Sequence, residues 1–158
     1  MNILFVFSGN KTRGISTVVE NQAISLKEAC ISVHYFPIKG KGLKGYLKNV
    51  YTLRKSVKQD NYDLIHCHFS LSGFVGALSF SGKPVLCSLM GSDIHGSLMF
   101  KFFVRLFYRF LWSQTIVKSA EMKKSAKLKK AIVIPNGVNF NRFSPLSQNE
   151  SQRSLGWD

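Results

Sequence analysis

Four places in this 158-residue chain follow a short apolar run and carry groups capable of chemistry: the loop at 9–15, His66–Ser70, the loop at 90–96, and Ser119 onward. Gly9-Asn10-Lys11-Thr12-Arg13-Gly14-Ile15-Ser16 has the glycine spacing of a phosphate-binding loop. Ile15, however, stands where a lysine must reach the β- and γ-phosphates, so a P-loop ATPase is excluded, and G-x-G-x-x-G is absent too. What remains is either a tight turn or a glycine loop before a helix N-terminus, able to hold a phosphate through backbone N–H groups. His66 and His68 alternate along a strand and share one face, with Cys67 opposite. No third ligand stands at metal-binding spacing, so no metal is expected. His68 is the one nearer the strand's end and is expected to point toward a crevice, whereas His66 reads as a core histidine. Asp93, in Gly91-Ser92-Asp93, is placed to orient a hydroxyl or act as a base, and equally to cap the next helix. His95 has the same ambiguity.

The elements that position these groups alternate. Asn2–Ser8 is a continuous apolar strand, of the kind buried on both faces of a parallel sheet. Thr17 and Glu20 have capping-box spacing, and Ile15, Val19, Ala23, Leu26 and Cys30 fall on one helical face. Further strands are expected at 31–37, 63–68, 85–89, 114–118 and 131–134. Helices are expected at about 43–58, with a stripe of Leu43, Leu47, Val50, Leu53 and Val57, and at 70–80, 97–112 and 120–128. The pattern predicts an α/β fold, an open, mostly parallel Rossmann-like sheet with helices on both faces. In such sheets ligands bind in the crevice at the strands' carboxyl ends, where all four places lie.

The composition narrows the class. Hydrophobic residues at 45% support one well-packed domain. Cys30, Cys67 and Cys87 are widely spaced in apolar runs and read as buried thiols in a reducing compartment. No secretory pattern opens the chain, and no apolar run approaches the ~20 residues of a membrane span, so a cytoplasmic protein is expected. The net charge of +14 is unevenly placed: residues 39–58 hold seven Lys/Arg and no acid, and 97–130 hold nine with only Glu121. Such a field attracts nucleic acid, anionic lipid or phosphorylated ligands. The helix at 97–112 is strongly aromatic and reads either as buried against the sheet or as partly exposed and resting on a membrane. Finally, Ile132-Val133-Ile134 runs into Pro135, and Asn136-Gly137 favours positive φ and a sharp turn.

Taken in order, these segments resemble the amino-terminal domain of a GT-B glycosyltransferase of family 4. Arg13-Gly14 falls where that family carries a Gly-Gly pair; Asp63-Leu64-Ile65-His66-Cys67-His68 resembles its D-h-h-H-x-H strand. Pro84 to Asp93 resembles its P-h-h-x-x-x-H-G-x-D segment, and Ile116-Val117-Lys118-Ser119 a strand ending in serine. Ile134-Pro135-Asn136-Gly137-Val138 resembles the interdomain junction, and Leu155-Gly156 a turn before the second domain. The resemblance implies a Rossmann-like acceptor-side domain over 1–138, with 139–158 as linker and beginning of a nucleotide-sugar domain. It implies sugar transfer with retention from a nucleotide-sugar co-substrate, without a bound metal or other cofactor, to a glycan or lipid-linked acceptor in cell-envelope polysaccharide synthesis. This chain by itself is expected to be inactive.

On this resemblance Gly9, Arg13 and Gly14 form the donor-phosphate loop, and His68, Ser92, Asp93 and His95 bind the acceptor, with Asp93 and His68 the candidate catalytic groups. Pro135, Asn136 and Gly137 form the hinge. Arg13 replaces a glycine and offers a guanidinium to phosphate. Met90 replaces a histidine that contacts the sugar in many members. With the basic surface, the resemblance implies attachment to the inner membrane face through Lys41, Lys44, Lys48, Arg54, Lys55 and Lys58, with 97–112 contributing less. The alternative is a basic α/β module that binds nucleic acid or another polyanion without catalysis.

Overall fold

The computed structural model describes residues 1–10, 14–40, 42–94, 96–140 and 143–157. Six parallel strands form one sheet in the order β2-β1-β3-β4-β5-β6, namely β1 (Asn2–Ser8), β2 (Ser32–Ile38), β3 (Leu64–His68), β4 (Val85–Ser88), β5 (Gln114–Val117) and β6 (Ile132–Val133). The helices between them are α1 (Thr17–Glu28), α2 (Gly42–Gln59), α3 (Ser70–Leu78), α4 (Leu98–Phe110) and α5 (Ala120–Ser125), and α6 (Gln148–Leu155) follows β6.

β1 shows why the sheet is central. Ile3, Phe5 and Phe7 pack with Val19 and Ala23 of α1 on one face. Leu4 and Val6 point the other way, into a larger core shared with Leu53 and Val57 of α2, Val75 of α3 and Val104 and Phe107 of α4. The topology explains the imbalance. The chain steps from β1 to β2 in one direction and then moves strand by strand in the other. Right-handed crossovers therefore put α1 on one face and α2 to α5 on the opposite one.

Local chemistry moves several boundaries. Ser16, not Thr17, caps α1, accepting from the Val19 N–H at 3.5 Å. β2 continues through Pro37, which an edge strand tolerates because one side of its backbone pairs with nothing. Leu47 faces solvent, and Tyr46 joins Val50, Leu53 and Val57 on the inward stripe of α2. Cys30 is exposed, against the expectation of a buried thiol, whereas Cys67 and Cys87 are buried. It sits just past α1 at φ 59°, and the Cys30→Lys27 and Ile31→Leu26 backbone bonds complete a Schellman turn.

The tail also differs. Ser147 and Glu150 close a full capping box on α6, which ends at Gly156 with φ 67°. The Leu155-Gly156 turn is thus a helix terminus. Asn136 and Gly137 do not take positive φ, so β6 leaves the sheet in extended form and not by the sharp turn expected there.

Candidate functional site

The carboxyl edge of the sheet is organised by one carboxylate. Asp93 is fully buried in the short 3₁₀ turn Ser92–Ile94 that follows β4. Its Oδ1 accepts from the Ser70 N–H at 2.7 Å, and its Oδ2 from the Met90 N–H at 2.5 Å. Ser70 opens α3, whose preceding residue, Phe69, sits at φ 81° and offers no side-chain cap. Asp93 therefore caps α3 from a different segment, and a carboxylate is the favoured group at a helix N-terminus. The same side chain pins Met90, half-buried at the start of the loop, and Gly91, at φ 96°, turns the chain between them. Asp93 does cap a helix, as one of its two sequence readings allowed. The helix is α3, behind it in the chain, and not α4, which Ser97 caps. Ser92 is exposed beside it.

β3 supplies the two histidines. Their rings stack at 4.4 Å, and His68 meets the Phe5 ring edge-on at 4.6 Å. His66 Nε2 lies 2.8 Å from Ser88 Oγ, as suits a satisfied core histidine. His68 is only 2% exposed, and neither of its ring nitrogens has a partner among the described residues. Burial first, then the nearby Lys118 charge, push His66 down from 6.5 to about 3; burial, then His66 and Lys118, push His68 to about 2. Both rings are neutral at ordinary pH. His68 thus sits behind the crevice edge and not in its lining. Among the described residues, no group of three or more His, Cys, Asp or Glu side chains is placed to hold a metal ion.

The loop after β1 is held from its first residue. The Gly9 N–H donates to the Ile38 carbonyl, and a Cβ on Gly9 would come within 2.7 Å of Pro37, so only glycine fits. Asn10 exchanges two hydrogen bonds with Gly40, tying this loop to the end of β2. Gly14 is exposed at φ 71° with open space around it. Arg13, His95 and Lys41 lie outside the described residues.

A groove of about 520 Å³ runs between α1 and the carboxyl ends of β5 and β6. Asn21, Ser25, Lys118 and the stretch 134–140 line it, so Pro135, Asn136 and Gly137 border this groove. The sequence singled out Pro135, Asn136 and Gly137 on this groove but not its opposite wall, α1, which comes near only through the fold. Sequence reasoning also missed the Ser70 partner of Asp93, for which no sequence signal exists across 23 residues.

The open parallel α/β sheet, with a glycine loop after β1 and the Asp93 clamp at its carboxyl edge, defines a Rossmann-like domain. The model of Glycosyltransferase Family 4 matches residues 12–142, and the chain belongs to that family. Among solved structures it is similar to Anabaena Alr3699/HepE in complex with UDP-glucose, at 20% identity and a TM-score of 0.67, covering 99% of this chain and 50% of that one. The same protein in complex with UDP and glucose, and with UDP, is matched at TM-scores of 0.64 with 20% and 22% identity. The chain thus spans half the length of these structures. No curated protein sequence matches it.

Proposed function

We propose that the chain is the acceptor-side half of a retaining glycosyltransferase that moves a sugar from a nucleotide-sugar to a glycan or lipid-linked acceptor in envelope polysaccharide synthesis. The observation that carries this reading is the family match across residues 12–142. The UDP-glucose held by the similar structure supports a nucleotide-sugar donor. In this proposal Gly9, Arg13 and Gly14 meet the donor diphosphate, and Ser92 and His95 face the acceptor. Asp93 acts as a positioning residue through Met90 and α3. His68, whose two ring nitrogens have no partner among the described residues, holds hydrogen-bonding capacity behind them. Pro135, Asn136 and Gly137 form the hinge, residues 139–158 lead into a second domain, and no bound metal takes part.

The proposed setting is the inner membrane face. No described helix is long and apolar enough to cross a bilayer, and Lys44, Lys48, Arg54, Lys55 and Lys58 stand on the solvent side of α2.

The test is transfer of labelled glucose from UDP-glucose, with other nucleotide-sugars in parallel and with chelator present. The chain alone is expected to give no transfer and weak donor binding. Joined to a family 4 nucleotide-sugar domain, it is expected to give transfer. Turnover by the chain alone refutes the half-enzyme reading; neither donor contact nor transfer in the joined protein refutes the glycosyltransferase reading.

A further inference from the structure

α4 is apolar on two sides. Phe100, Val104, Phe107 and Leu111 face the sheet, where Phe107 and Phe100 meet Phe74 of α3. Helical spacing carries Leu98, Met99, Phe102, Phe103, Leu106 and Phe110 to the opposite side. There they stay exposed: Leu98 at 85%, Met99 at 70%, Phe110 at 69% and Phe102 at 60%. A soluble helix normally keeps such a face for the core, and a contiguous exposed apolar patch marks a contact surface.

The chemistry around the patch selects the contact. Arg109 is exposed within the patch itself and lies over the Phe110 ring at 5.8 Å. Arg105 reaches across to the Ala126 carbonyl, and the Lys130 N–H donates to the Tyr108 hydroxyl, so the end of α5 is fastened alongside α4. That fastening brings the exposed Lys124, Lys127, Lys129 and Lys130 to its border, and the only acid between 97 and 130 is Glu121. On the same face of the sheet, beyond α3, stands the basic outer side of α2. A protein partner's groove would need no such one-signed surround. An anionic lipid surface does: apolar side chains enter the headgroup boundary while lysines and arginines meet the phosphates.

We infer that the outward face of α4 inserts into the surface of an anionic bilayer, and that the lysines of α5 and α2 supply the attraction around it. This deepens the proposed membrane-face setting and reverses its emphasis. Aromatic insertion by α4 anchors the chain, and the basic helix α2 assists.

Vesicle sedimentation tests it with the 158-residue chain and no nucleotide or acceptor, so its outcome is independent of any transfer assay. The chain is expected to bind phosphatidylcholine vesicles containing phosphatidylglycerol and to leave pure phosphatidylcholine vesicles unbound. Phe102→Ser combined with Phe110→Ser removes only solvent-facing rings, and circular dichroism checks that the fold is kept. This variant is expected to bind at least about tenfold more weakly. Independently of that variant, Phe102→Trp is expected to show a blue-shifted emission quenched by brominated acyl chains. Unchanged binding of the double variant overturns the proposal, as does an unshifted Phe102→Trp on bound vesicles or an absence of wild-type binding to anionic vesicles. A dimer in solution that the double variant abolishes, or tighter binding to RNA than to anionic vesicles, overturns it equally.

Discussion

Asp93→Asn isolates what the buried carboxylate does. In the wild type its two oxygens accept from two backbone N–H groups, at Ser70 and Met90, and the residue has no solvent contact. A hydrogen bond to a charged acceptor contributes about 1.5–3 kcal/mol, and a buried donor left without a partner costs about 1–3 kcal/mol. Asparagine keeps one acceptor oxygen and turns an NH₂ group toward the other N–H. One bond is lost and two donors face each other, so the expected loss is about 2–3 kcal/mol. Against a total stability of about 5–15 kcal/mol, that is large but leaves a folded chain. Alanine loses both bonds, about 3–6 kcal/mol, and approaches the limit of folding.

The assay is urea unfolding at neutral pH, with amide hydrogen exchange read at Ser70 and Met90. The matched control is Ser92→Ala, next in the chain and exposed, expected to shift stability by no more than about 0.5 kcal/mol. Asp93→Asn should lower the unfolding midpoint and speed exchange at those two amides before others in β4 and α3. A loss below about 0.5 kcal/mol, with both amides as protected as in the wild type, would refute the clamp. It would return Asp93 to the role of a side chain free to meet substrate.

Three further outcomes follow from other parts of the fold. His66 and His68 are neutral when folded, with pKa values pushed down to about 3 and about 2, and take up protons near 6.5 once unfolded. The unfolded state therefore binds more protons below that value. Stability is complete above about pH 6.5 and falls with acidity, by about 2 kcal/mol for each ring between pH 7 and pH 5. Urea midpoints across this range check it, and a flat profile refutes it. Cys30→Gly relieves the left-handed conformation at the α1 terminus and should raise stability by about 0.5–1 kcal/mol in the same assay, whereas Cys30→Val should lower it. Gly76→Ala places a Cβ within 2.5 Å of the Cys67 sulfur in the tight α3–β3 packing, and a loss of about 1–3 kcal/mol is expected from thermal or urea unfolding.

The sheet was legible because its signals are local. β1 is a single apolar run, and Gly9 and Pro84 stand between elements, just after β1 and just before β4. The capping box of α6 is just as local, with Ser147 and Glu150 at the right spacing, yet the resemblance assigned 139–158 to a linker and the beginning of a second domain. The site was less legible, because burial is a tertiary property. Asp93 was found as a polar residue at a strand's carboxyl end, but its two readings, cap and base, differ only in which way it points. The answer came from Ser70, brought near by the pairing of β3 with β4. His68 was expected to point toward the crevice by its position along β3. The stacking on His66 and Phe5 that encloses it depends on β1 lying alongside.

α4 poses the same problem in its purest form. Its sequence holds two apolar stripes, and periodicity identifies both without ranking them. Tertiary packing chooses, by taking the stripe of Val104 and Phe107 and leaving that of Phe102 and Phe110 outside. Trp112 fixes the choice: its indole N–H donates to the Gly73 carbonyl at 3.0 Å, and its ring stacks on Phe74, so the end of α4 is locked in rotation against α3. A Cβ on Gly73 would come within 2.8 Å of that indole, so the lock depends on glycine there. The rotation of α4 is thus set by α3, whose amino end Asp93 caps. The side chain at the crevice edge and the apolar face turned to solvent are held by one short helix.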